Sequence, residues 1–118
     1  MFQAIEGRDV SATEGRVLPA NLSAAALPTL RQDPDTVILD IRSRDEFRNE
    51  HKPLAINIPI DELDVRLVPE IPRTKKIVID CSAIRSNVCE VVSHSIQSKG
   101  FRYVSLLNSG TFADPRCR

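Results

Sequence analysis

Apolar residues along the chain fall into short runs with two different periods. TVILD (residues 36–40) and KIVID (residues 76–80) are compact runs that suit strands covered on both faces, and Ile77, Val78 and Ile79 are consecutive β-branched residues. Residues 55–58 predict a further strand, stopped by Pro59, and residues 103–107 a last one, followed by a turn through Asn108, Ser109 and Gly110. Between them the period becomes helical. A short helix over residues 24–31 is expected, capped by Asn21 or Ser23, with Pro28 kinking it or ending it early. QDPD then makes a turn. Ser43 and Glu46 form a Ser-x-x-Glu capping box that starts a helix through about Glu50. Leu63, Leu67 and Val68 mark a helix over residues 61–68 that closes before Pro69 and Pro72. Val88, Val91, Val92, Ser95 and Ile96 recur on one face of a longer helix that ends near Lys99 and Gly100. Strands alternating with helices predict a single α/β domain: a central, mostly parallel sheet of four or five strands flanked by helices.

Composition narrows the function. With 118 residues there is room for one core. Sixteen acidic and sixteen basic residues leave no net charge, and no long run of one sign marks a nucleic-acid or anionic-membrane surface. No stretch has the length needed to span a bilayer, and residues 1–15, a polar lead-in without clear period, lack the apolar middle of a signal peptide. A cytoplasmic module is the expectation. Three cysteines without a close-spaced pair argue against a disulfide framework and a zinc site, and His51 and His94 lack a third ligand, so no metal is expected.

The chemistry centres on Cys81, which follows the strand of residues 76–80 and precedes the long helix. At such a turn backbone N–H groups and the helix dipole favour an anion. That matters because a thiolate is the nucleophile, and a free thiol with a pKa of about 8.5 is mostly protonated at neutral pH. Ser86 can donate its hydroxyl to the sulfur, and Arg85 can attract an anion. Asp80 opposes this unless strand alternation turns its carboxylate away. Cys89, one helical turn after Arg85, is read as a packing residue, and Cys117 as exposed in the tail of residues 115–118.

In combination these segments resemble the rhodanese-like family. LDIRSRDEFRNEHKPLAINIP (residues 39–59) looks like the family's first signature, IVIDCSAIRS (residues 77–86) like its strand and active-site loop, and GFRYVSLLNSG (residues 100–110) like its closing strand and turn. The resemblance spans residues 16–114. It implies transfer of sulfane sulfur from a small donor such as thiosulfate to a thiophilic acceptor or acceptor protein, through a persulfide on Cys81. The loop Ser82, Ala83, Ile84, Arg85 and Ser86 would hold the substrate, and no cofactor is implied. Asp40, Arg42 and Glu46 are structural beside the site: an Asp that caps a turn and an Arg–Glu pair that holds a helix.

Departures from the family pattern shape the alternative. Ile84 stands where the loop commonly has glycine, and the arginine is the fifth loop residue, with Ser86 sixth. Glu50, Leu54 and Ser109 also replace usual glycines. They favour a second reading, a rhodanese-like recognition or regulatory module cut from a larger chain. A cysteine phosphatase or arsenate reductase fits less well, since those loops need a wider ring of amides and Arg85 lies too close to Cys81.

Overall fold

The computed structural model describes residues 20–108, so the lead-in of residues 1–15, the turn residues Ser109 and Gly110, and the tail with Cys117 lie outside the described residues. Strands β1 (Ala20–Leu22), β2 (Thr36–Asp40), β3 (Ile56–Asn57), β4 (Lys76–Asp80) and β5 (Val104–Leu107) form one sheet in the order β1-β5-β4-β2-β3. Every pairing is parallel. Helices α1 (Leu27–Gln32), α2 (Arg44–Asn49), α3 (Leu63–Glu70) and α4 (Ser86–Ser98) make the crossovers. A parallel arrangement puts the carboxyl ends of β2, β3 and β4 on one edge. The loops after them therefore meet.

Strand alternation divides the core in two. Leu39, Ile41, Ile77, Ile79, Val104 and Leu106 pack with Leu63 and Leu67 of α3 and with Val92 and Ile96 of α4. On the other face Ile38, Val78 and Leu107 pack with Ala24 and Leu27. β4 lies at the centre and is covered on both sides, which is why its three β-branched residues suit it. Each such side chain contributes about 1.5–3 kcal/mol by leaving water.

Residues 36–40 and 76–80 form strands at the expected bounds, and the Ser43–Glu46 capping box is made reciprocally: the Ser43 side chain accepts from the Glu46 amide while Glu46 accepts from the Ser43 amide. Other expectations are corrected. Asn21 is not a cap: it lies in β1, an edge strand of three residues too short to show a period. Pro28 does not end a helix, because it occupies the first turn of α1, where a missing N–H costs nothing. Residues 24–26 form a separate 3-10 turn whose preceding Ser23 makes no side-chain cap. Pro69 does not stop α3, which runs to Glu70; so near the carboxyl end the ring displaces a single intrahelical bond.

The buried stripe of α4 also differs from the expected one. It comprises Cys89, Val92, Ser93 and Ile96, whereas Val91 is 68% exposed. Counting Cys89 as the first apolar position sets the phase. The helix ends as expected: Gly100 has φ of 102°, and a β-carbon there would come within 2.7 Å of the Arg73 side chain, which itself donates to the Lys99 carbonyl.

Candidate functional site

Cys81 sits one residue beyond β4, at the carboxyl end of the central strand. Its amide donates to the Leu107 carbonyl at 2.8 Å, so the ladder with β5 continues to the cysteine itself. Its side chain joins the core on the α3–α4 side and is 3% exposed. There it forms a disulfide with Cys89, in the first turn of α4, with 6.2 Å between the Cα atoms. This corrects two expectations, that Cys89 only packs and that the cysteines make no disulfide. Their separation of eight residues spans a strand end, a loop and one helical turn, and that path folds back far enough for the sulfurs to meet.

The loop between them follows its own course. The Ser82 amide and hydroxyl both donate to Asp80 Oδ1, and the Ile84 amide donates to the Cys81 carbonyl at 3.1 Å, closing a turn. Ile84 is not among the residues with positive φ, and its side chain is half-buried against the core. The isoleucine thus avoids the conformation a glycine would adopt, and its N–H is committed to a carbonyl rather than to the sulfur. Ala83 and Arg85 are exposed. Arg85 is the N-cap of α4, its carbonyl accepting from Val88 and Cys89, and Ser86 is the exposed first residue of the helix.

Asp80 points to the opposite face of the sheet from Cys81, as alternation along β4 requires. It meets Lys52, a lysine with no exposure at all, whose Nζ lies 3.1 Å from Asp80 Oδ2 and 3.2 Å from Ser82 Oγ. The carboxylate beside the cysteine is therefore both turned away and paired. Nothing in the spacing of residues 52 and 80 announces this contact. The usable signal was a carboxylate directly after three buried apolar residues, which calls for a buried partner.

Asp40, Arg42 and Glu46 brace the neighbouring loop. Asp40 accepts from the Arg42 amide and, through both oxygens, from the Arg42 guanidinium, which also donates to the Glu50 carbonyl. Asn57 adds donors to the carbonyls of Asp40 and Arg42. Burial works against the Arg42 charge, but hydrogen bonds and attraction from Asp40, with smaller contributions from Glu46 and Asp80, raise its pKa above the usual value. The Asp does cap a turn, but the arginine's bidentate partner is Asp40, while Glu46 serves the cap at Ser43. Asn57 was missed as a brace because its partners come from another strand.

His51 stacks on Phe47 with ring centroids 3.7 Å apart, and its Nδ1 lies 2.6 Å from the Phe47 carbonyl. No group of three or more potential metal-binding side chains occurs among the described residues, and no helix there is long and apolar enough to cross a membrane. A cleft of about 320 Å³ opens between the segments that follow β2 and β3, lined by residues that include Ile41, Ser43, Arg44, Pro59, Ile60 and Glu62.

A central parallel strand that delivers a cysteine into a loop and a helix start, with an Asp-x-Arg brace on the adjacent strand, defines the class. The chain belongs to the rhodanese-like domain family, whose model matches residues 23–113. Among curated proteins it is 32% identical over 79 residues to the uncharacterized protein YibN of Escherichia coli K12, covering 64% of this chain and 53% of that one. It is also 32% identical over 95 residues to the tRNA uridine(34) hydroxylase of Cronobacter sakazakii, covering 75% of this chain and 26% of the hydroxylase. The chain thus spans about half or less of these relatives. Among solved structures, the Alr3790 protein of Anabaena sp. aligns with a TM-score of 0.67 at 25% identity, over 77% of this chain and 81% of that one. EanB shares the fold, with a TM-score of 0.63 at 19% identity over 83% of this chain and 25% of EanB.

Proposed function

We propose that the domain is a sulfurtransferase that carries sulfane sulfur as a persulfide on Cys81. The observation that carries this reading is the position of the Cys81 sulfur: at the carboxyl end of the central strand, held against the first turn of α4, and bonded there to a second thiol. The first amides of a helix have no intrahelical acceptor and the dipole is positive at that end, so a thiolate or persulfide anion is favoured at this spot. With thiosulfate as donor, the reduced Cys81 thiolate attacks the outer, sulfane sulfur. The bond between the two donor sulfurs breaks and sulfite leaves with its electron pair. The persulfide then passes its outer sulfur to a thiophilic acceptor. Arg85, exposed at the loop, supplies a cation for the anionic donor. In support, one EanB structure is described as holding ergothioneine covalently linked with a cysteine persulfide.

One observation favours a second reading. The Ile84 amide is spent on the Cys81 carbonyl, and Cys81 is nearly covered, which suits a recognition module with little turnover. The reduced chain, freed of reductant and incubated with thiosulfate, separates them by intact mass. Release of sulfite that disappears in Cys81→Ser, with the chain either gaining one sulfur or closing its disulfide, supports transfer. A reduced chain of unchanged mass, with no sulfite released, leaves the recognition module.

A further inference from the structure

Among the described residues Cys89 is the one cysteine that the persulfide chemistry leaves unused, and it is already bonded to the sulfur on which that chemistry depends. We propose that Cys89 is a resolving thiol: it attacks Cys81 Sγ of the persulfide, closes the Cys81–Cys89 disulfide and expels the outer sulfur as hydrosulfide. This deepens the sulfurtransferase reading and rests on it, and it names the co-substrate class, a dithiol reductant.

The geometry favours this route over direct transfer to an outside acceptor. The Cα atoms stand 6.2 Å apart, within the span that a disulfide bridges, so closure needs no movement of β4 or α4. Cys89 has no exposure, and it is fixed on the helix by the same stripe that seats Val92 and Ile96 in the core. An outside thiol must displace the loop to reach a sulfur that is 3% exposed, as the donor and the reductant also must, whereas Cys89 already lies against that sulfur. A nucleophile held in place has the advantage of an intramolecular reaction over any free thiol at cellular concentration. Hydrosulfide is also the better leaving group, being the weaker base compared with an alkyl thiolate.

The step balances. The Cys89 sulfur forms a bond to Cys81 Sγ, and the bond from Cys81 Sγ to the outer sulfur breaks with its electron pair on the leaving atom. Two thiol sulfurs are oxidised to a disulfide while the sulfane sulfur is reduced to sulfide, which takes the proton that Cys89 gives up. A dithiol then reduces the Cys81–Cys89 bond and becomes a disulfide itself, which returns the domain to its starting state. A sulfane donor and a dithiol are consumed, and sulfide is the product.

The test uses the full chain, reduced and then freed of reductant under anaerobic conditions, with thiosulfate as the probe. Intact mass, disulfide mapping by peptide and sulfide release are followed together. Expected is a wild-type chain that ends as the Cys81–Cys89 disulfide with stoichiometric sulfide, whereas Cys89→Ser retains the added sulfur and releases sulfide at least about tenfold more slowly. Cys89→Ala, which keeps the buried position apolar, repeats the measurement should the serine variant fail to fold. Wild type that stores the added sulfur without releasing sulfide, or folded Cys89 variants that release it at the wild-type rate, overturn the resolving role and leave the persulfide reading standing. If neither wild type nor the Cys89 variants take up sulfur, both readings fall.

Discussion

At the scale of single residues, a buried ion pair and a strained leucine break ordinary rules, and each makes a measurable demand. Lys52 and Asp80 are charged, wholly buried and 3.1 Å apart. Such a pair contributes little net stability while intact, because desolvation offsets the attraction, but removing one member strands the other. Lys52→Met should therefore lower the unfolding free energy by about 3–5 kcal/mol, measured by denaturant titration, and Lys52→Met with Asp80→Asn should recover part of it. A single variant within about 1 kcal/mol of wild type would mean that the Asp80 carboxylate is satisfied by Ser82 alone. Leu54 is the opposite case. It is 71% exposed with φ of 68°, a left-handed conformation that costs a side chain about 1–2 kcal/mol. Glycine removes that cost but adds chain entropy to the unfolded state, about 0.4–1 kcal/mol. The strain is the larger of the two, so Leu54→Gly should stabilise by about 0.5–1 kcal/mol and raise the thermal midpoint by a few degrees.

At the scale of elements, α3 and the Cys81 loop carry the predictions. Arg66 bridges Glu62 and Glu70 along α3, and Glu62 also accepts from Arg44. Hydrogen bonds from Arg66 hold both carboxyls below their ordinary value of 4.5. A depressed pKa means that the folded state favours the ionised form. The contribution is thus complete above the unfolded value and is lost as the pH falls through the folded one. The stability gap between wild type and Arg66→Gln should shrink as the pH falls below the ordinary carboxyl value of 4.5, and salt should narrow it throughout. A gap that is constant with pH would show that the bridges on this exposed face contribute nothing. In the loop, Ile84→Gly removes half-buried apolar contact and should cost about 1–2 kcal/mol. Glycine can take the positive φ that isoleucine avoids, and so turn its N–H from the Cys81 carbonyl toward the sulfur. Thiosulfate turnover should rise. A folded Ile84→Gly chain with unchanged or lower turnover would show that the Ile84 amide is not what restrains the cysteine.

For the molecule as a whole, the Cys81–Cys89 bond ties the central strand to the helix that covers it. Closing a segment with a separation of eight residues restricts the unfolded chain modestly, on the order of 2–3 kcal/mol in the chain-entropy view. Denaturant midpoints should therefore be higher for the oxidised chain than for the reduced one, and Cys89→Ala should abolish the dependence on reductant. Equal midpoints with and without reductant would mean that the bond leaves the folding equilibrium untouched. The same bond occupies the sulfur on which transfer depends. Stability and availability for chemistry are set against each other at one residue, and reduction trades the first for the second.

What the sequence determined by itself is what short-range interactions decide. The β-branched run of β4, the TVILD strand, the Ser43–Glu46 capping box and the Gly100 helix end are each specified within a few residues, and each stands where its local pattern predicts. The order of these elements, with the motifs around Asp40 and Cys81, was enough to indicate the family and the sheet. Tertiary structure alone decided the contacts that matter at the site. Lys52 reaches Asp80, and Asn57 reaches Asp40, because parallel register brings the ends of β2, β3 and β4 to one edge. Cys81 meets Cys89 because the loop between β4 and α4 folds back over the core, and β1 is a strand only because β5 offers it an edge. These partners lie in other elements, or on the far side of a turn whose path a pattern of apolar spacing does not encode. Backbone pairing and packing across the sheet supply the missing information.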